Sequence, residues 1–210
     1  WPVGFNFVPT DAVNDVEMWM DATFNGKPIT PRSGYIVEIN ALWYNAVKFS
    51  MEVASLAKDT AFVEEWEPLM QNFPTVFKET FWSKEIGYLA DYVDGDYKNF
   101  QVRPNMMIVT SLPYAPISEK IRQLILKHTC EELLTEKGIR TLSPNDPEYK
   151  GHYFGTQAER DAAYHQGWCW PWLLFPFTDG MLSVYQQQAI PFLQKVLYKF
   201  DSCMTTYGIS

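Results

Sequence analysis

Val37-Glu38-Ile39-Asn40-Ala41-Leu42-Trp43-Tyr44 opens the most strongly periodic part of this 210-residue chain. Ile36, Ile39, Trp43, Ala46, Val47, Ser50, Val53, Ala54 and Ala57 recur at three and four residues. That spacing lines one face of an α-helix, so a long helix is predicted over 36–58. A second is predicted over 60–81, with Phe62, Trp66, Leu69, Phe73 and Phe77 on its buried side. Pro68 and Pro74 should bend or divide it, because each removes a backbone donor. Downstream, 106–112, then 119–135 behind a Ser118 cap, an apolar stretch from Trp168 to about Gln188, and 190–201 complete a series of about six helices. Residues 1–32 are broken by Pro and Gly, with turn chemistry at Asp11 and Asn14 and one short ordered piece over 16–20. Alternation between turn residues over 87–95 predicts a small strand or hairpin, and 138–166 reads as a long polar connection. No β-α-β pattern, phosphate loop or nucleophile elbow is present. The class is all-α. Alternating long and short connections gather the long loops at one end, as in a helical toroid.

The second informative stretch lies just upstream, from Trp19-Met20-Asp21-Ala22 to Thr30-Pro31-Arg32. Together with Glu38, Asn40, Trp43 and Tyr44 it sets a carboxylic acid among rings, a guanidinium and an amide. Rings pack on the apolar faces of sugars while polar groups read their hydroxyls. Glu38 admits two readings, a helix-capping charge or a sugar ligand. His128 falls beside the stripe of its helix and reads as a core or boundary histidine. Trp168 and Trp172 read as core.

Composition narrows the partners. Aromatics make up 16% of the residues, which suits either a large helical core or a carbohydrate-stacking surface. A net charge of −8 argues against nucleic acid or an anionic membrane as a partner. No apolar run reaches the length of a membrane span. The three cysteines, Cys130, Cys169 and Cys203, have no metal-ligand spacing and read as reduced, buried thiols of a cytoplasmic protein. Nothing calls for a metal or another cofactor. The chain opens at Trp1-Pro2-Val3 with neither an initiator Met nor a secretory signal, and is expected to be a piece of something longer.

The motifs carry a resemblance. Trp19-Met20-Asp21-Ala22, Thr30-Pro31-Arg32, Val37 through Ala46, Arg103-Pro104-Asn105, Gly138 through Pro144, Tyr149-Lys150-Gly151, Arg160 through Gly167 and Trp170-Pro171-Trp172 occur in an order that resembles the glycogen debranching enzyme family. The likeness is to its C-terminal amylo-α-1,6-glucosidase domain, from about Val16 to about Ser210. It implies an (α/α)6 barrel, of which residues 1–210 form roughly half, truncated at both ends. The implied partner is an α-glucan such as glycogen or its limit dextrin. The implied reaction is inverting hydrolysis of α-1,6-linked glucose at branch points. Asp21 takes the position of the family's general acid, and the general base is expected beyond Ser210. Trp43, Tyr44, Asn105, Arg140, His165, Gln166 and Trp170 are placed in rim loops or adjacent helix ends as substrate-binding residues, beside Trp19, Arg32, Glu38, Asn40 and Arg103.

Inversion needs one carboxyl that protonates the leaving oxygen and one carboxylate that activates water, about 6.5–9.5 Å apart. Desolvation between rings would hold Asp21 in its protonated, donating form. Arg32 would oppose that if it touched Asp21, so it is expected on sugar hydroxyls or on another carboxylate. Asp161 is expected to orient His165 or Arg160. Without its base, this piece alone is expected to bind glucan rather than cleave it. Its uncovered barrel interior should favour a homodimer. The competing readings are a glucan-binding module without catalysis and an (α/α)6 glucosidase of another linkage.

Overall fold

The computed structural model describes residues 9–10, 18–201 and 205–206. Asp11, Asn14, the Val16-Glu17 start of the expected ordered piece, Cys203 and the Tyr-Gly-Ile-Ser terminus lie outside them. The described chain is mostly helical, with three small antiparallel sheets rather than the single hairpin expected.

Helices α1 (Val37–Leu56) and α2 (Thr60–Phe81) match the predicted spans to within two residues. They pair through rings, with Tyr44 stacked on Phe73 at 4.8 Å and Trp43 meeting Trp66 at 6.0 Å and Phe73 at 5.6 Å. Pro68 and Pro74 do not divide α2. Met70, Phe73, Phe77 and Phe81 are buried along one side, and that packing outweighs the two missing donors. The buried face of α1 is not the one predicted. Val37, Glu38, Asn40, Ala41, Tyr44 and Met51 are buried, while Val53 is 48% exposed and Leu56 80%. The error has a physical source: apolar periodicity gives no weight to Glu38 and Asn40, which face inward with partners of their own.

Strand β1 (Pro9–Thr10) pairs with β4 (Gly34–Ile36), β4 with β5 (Tyr92–Asp94) and β5 with β6 (Tyr97–Asn99), forming one four-stranded sheet. The β5–β6 hairpin lies at the end of the stretch where alternation predicted one. Gly34 has φ +74, and a Cβ there would collide with the Val93 carbonyl oxygen, so only glycine lets β5 approach so closely. The β4–β5 register sets Ile36 opposite Tyr92, and Val37 N–H donates to Asp91 O at 3.2 Å. This pairing seats Asp91 beside the first turn of α1. A separate hairpin joins β2 (Thr23–Phe24) to β3 (Lys27–Pro28).

Helix α3 (Asn105–Ser111) packs against α6 (Leu174–Tyr185) in the core with α4 (Glu119–His128). The helix predicted over 119–135 stops early. Ser118 makes no side-chain cap, and α4 passes into a π-turn at 129–133 before β7 (Leu134–Thr135). The expected loop over 138–166 also contains regular structure, namely β8 (Gly138–Arg140) and α5 (Gln157–Tyr164). Strands β7, β8 and β9 (Cys169–Trp170) form the third sheet. Helix α5 starts at a capping box in which Thr156 and Glu159 satisfy each other's backbone donors. The C-terminal stretch is a 3-10 turn at 171–173, α6, a second 3-10 turn at 186–189 and α7 (Ile190–Leu197). Among the described residues no helix is long and apolar enough to cross a membrane.

Candidate active site

The sheet register gathers a buried polar cluster. Arg32 lies two residues before β4, Glu38 lies in the first turn of α1, Asp91 immediately precedes β5, and Asn105 begins α3. The Arg32 guanidinium donates to both Glu38 oxygens at 2.6 and 2.7 Å, and through Nε and Nη2 to the Asp91 carboxylate at 2.7 and 3.1 Å. Its Nη2 also reaches the Asp91 carbonyl at 3.1 Å. Arg32 and Glu38 are each 1% exposed. Burial pulls the Arg32 pKa down, but the adjacent Asp91 and Glu38 more than offset it and hold the group above the ordinary arginine value. Arg32 is therefore on carboxylates and not on Asp21. Its fork is fully used, and Glu38 serves as its counter-ion rather than as a cap. Asn40 donates to Ile36 O, at the end of β4 just before its own helix, at 2.8 Å.

Asn105 connects this cluster to the rings. Its Nδ2 donates to Asp91 Oδ1 at 2.7 Å, and its Oδ1 accepts from Trp19 Nε1 at 2.9 Å. Trp19 stands edge-on to Trp172 at 5.1 Å and to His165 at 5.3 Å. His165 also contacts Tyr164 at 4.7 Å and Trp170 at 6.1 Å. Its Nε2 lies 3.3 Å from Asp21 Oδ1. The imidazole is buried, whereas the Asp21 side chain is 63% exposed. The aromatic enclosure expected around Asp21 is thus formed around its histidine partner instead. Nδ1 of His165 has no partner among the described residues, so the hydrogen-bond pattern puts the ring proton on Nε2.

Arg103 braces the same segment. Its Nη1 donates to His165 O at 2.8 Å and Thr141 O at 3.1 Å, and its Nη2 donates to Gln166 Oε1 at 2.6 Å. The β8–β9 pairing sets Ile139 opposite Trp170 and so fixes where α5 delivers His165, its C-terminal cap. Trp170 Nε1 donates to Tyr164 O at 3.1 Å. Arg140 ends β8 opposite Cys169.

Several expected site residues stand elsewhere. Trp43 and Tyr44 have their ring partners in Trp66 and Phe73, between α1 and α2. Asp161 accepts from Gln157 at 2.6 Å and orients neither His165 nor Arg160. Trp168 and Trp172 are 36% and 40% exposed, not core, and Trp172 joins the Trp19 wall. Asp91 was not anticipated, because its importance comes from a strand register spanning 59 residues to Arg32. His128 is partly buried with its ring edge on Tyr88 at 4.9 Å, a boundary position. Cys130 and Cys169 are free, and burial pushes the Cys130 thiol up to about 11, which leaves it inert. Among the described residues no group of three or more His, Cys, Asp or Glu could hold a metal ion.

The histidine gives a measurable signature. Burial lowers the His165 pKa, the hydrogen bond and charge of Asp21 oppose that, and Arg103 adds to the lowering, leaving it below the usual 6.5. A group depressed on folding binds its proton more readily when unfolded. Its stability contribution is complete above about pH 6.5 and is lost as pH falls through the lower folded value. Melting temperature should therefore fall as pH drops below about 6.5, and His165→Gln should flatten that slope. An unchanged slope in the variant would show that His165 is not the group responsible.

The family described as amylo-alpha-1,6-glucosidase matches residues 5–209. The glycogen debranching enzyme of Saccharomyces cerevisiae is 30% identical over 198 residues, covering 74% of this chain and 13% of that protein. The chain therefore spans a small part of that relative's length.

Proposed function

The chain belongs to the amylo-alpha-1,6-glucosidase family, and from that premise we propose that it forms part of a debranching glucosidase acting on an α-glucan, with Asp21 as general acid. The supporting observation is an exposed carboxylate held by a buried imidazole inside a wall of Trp19, Tyr164, Trp170 and Trp172. His165 Nε2–H donates to Asp21 Oδ1 and leaves the second oxygen free to carry a proton outward. In the reaction Asp21 passes that proton to the glycosidic oxygen as the C1–O bond breaks. Water activated by a second carboxylate adds to C1 from the opposite face, giving the inverted sugar. Glu38 and Asp91 do not suit the second role, since Arg32 occupies both. The roughly half (α/α)6 barrel and the cytoplasmic setting belong to the same proposal. The test is glucose release from a glycogen limit dextrin by the longer protein, with linear α-1,4-glucan as control. Cleavage of the linear glucan alone would favour a glucosidase of another linkage.

The binding-module reading has one observation in its favour: neither buried carboxylate is free to activate water. We also propose that this chain in isolation pairs with a second copy. Phe49, Val53 and Leu56 are 58%, 48% and 80% exposed and recur at helical spacing on α1, an apolar face that a second copy could cover. Sedimentation at high concentration should show a dimer, and a monomer throughout would overturn the pairing.

A further inference from the structure

A polar recess of about 210 Å³ shares the His165–Gln166 segment with the Asp21 site but contains neither Asp21 nor His165. Thr30, Arg32, Asn99, Arg103 and Gln166 line it, and all five are less than a tenth exposed. Tyr97, Pro31 and Glu148 also line it and are exposed. A recess with a buried polar base and an exposed mouth is built to take something from solvent.

What it takes follows from which groups remain unused. Arg32 is committed to Glu38 and Asp91. Arg103 donates to five neutral acceptor contacts, on Thr141, His165, Gln166 and twice on Gln101. Neither guanidinium has a donor to spare for an anion. By contrast, the Thr30 hydroxyl is buried and has no partner among the described residues. An unmet buried hydroxyl is costly unless a ligand or water supplies the bond. Arg103 holds the Gln166 carbonyl oxygen, which leaves the Nε2 hydrogens of that amide as donors. Glu148 offers an acceptor at the mouth, held in place by Gln101 at 2.7 Å. The Tyr92 and Tyr97 rings, 6.0 Å apart, flank the opening. Uncharged donors, a carboxylate acceptor and aromatic faces together match a polyhydroxylated ring.

We propose that this recess is a second subsite for a neutral glucosyl unit, separate from the position at which Asp21 would act. The proposal rests on the α-glucan reading above and adds a place on the chain that would hold glucan away from the reacting bond.

The test is calorimetric titration of this chain with maltotriose, with inorganic phosphate as a control. Thr30→Val keeps the shape and removes the hydroxyl, and should weaken maltotriose binding roughly three- to tenfold, the effect of one lost hydrogen bond. Tyr97→Ala, at an exposed rim position, should weaken it by a similar factor. It carries the test should Thr30→Val fold poorly, which melting curves would reveal. Phosphate should not bind. Wild-type affinity in both variants, absence of maltotriose binding to the wild-type chain, or competition by phosphate would each overturn the subsite. None of these results touches the assignment of Asp21, which stands or falls on hydrolysis by the longer protein.

Discussion

Arg32→Met is expected to cost the folded chain about 3–5 kcal/mol, a large share of the roughly 5–15 kcal/mol that keeps an ordinary domain folded. The variant keeps the volume of the side chain and removes the fork. Glu38 and Asp91 would then sit together, buried, with no cation bonded to either among the described residues, where Asp91 would keep Asn105 as its side-chain donor. Arg32→Lys should recover only part of the loss, since one ammonium cannot serve two carboxylates in the planar pattern seen here. The informative comparison adds Glu38→Gln and Asp91→Asn to Arg32→Met. Removing all three charges relieves the repulsion, so the triple variant should be more stable than Arg32→Met alone despite carrying more changes. Urea unfolding at neutral pH measures all three. A single variant within about 1 kcal/mol of wild type would show that the cluster is not the structural joint described here.

How much of this was legible in the sequence follows from how far apart the interacting residues lie. The spans of α1 and α2 and the β5–β6 hairpin were readable because helical period and alternation are local. The resemblance identified the family, and residues 5–209 match it. The buried face of α1 was misread because Glu38 and Asn40 are buried by partners that periodicity does not register. Helix α5 was missed although its signal was present: Thr156 followed by Glu159 is a capping box, hidden inside a polar stretch read as loop. Asp91 carried no local signal at all, since it becomes part of the cluster only when β4 and β5 pair. Asp21 reads in the sequence as an acid flanked by aromatics, yet the rings close around His165 and leave the acid open to solvent. The Asp21–His165 contact spans 144 residues of sequence, which no motif spacing could supply.

That contact determines what Asp21→Asn should do. In the longer protein the substitution should lower glucose release from a limit dextrin by about 10²- to 10⁴-fold, the range for loss of a positioned general acid, with much less change in KM. Asn keeps an oxygen that can accept from His165 Nε2, so the local geometry survives while the transferable proton does not. Because the Asp21 side chain is 63% exposed, the change should leave stability within about 0.5 kcal/mol, which separates lost chemistry from lost folding. His165→Gln provides the second arm. It removes the imidazole that orients Asp21 but leaves the acid in place, so kcat should fall by less than in Asp21→Asn. If His165 and Asp21 act as one unit, the double variant should be no slower than Asp21→Asn alone, since effects within a unit do not add. Two independent losses that multiply would mean that His165 binds sugar separately. Full activity in Asp21→Asn would remove Asp21 from the chemistry and leave the chain as a glucan-holding part of the larger protein.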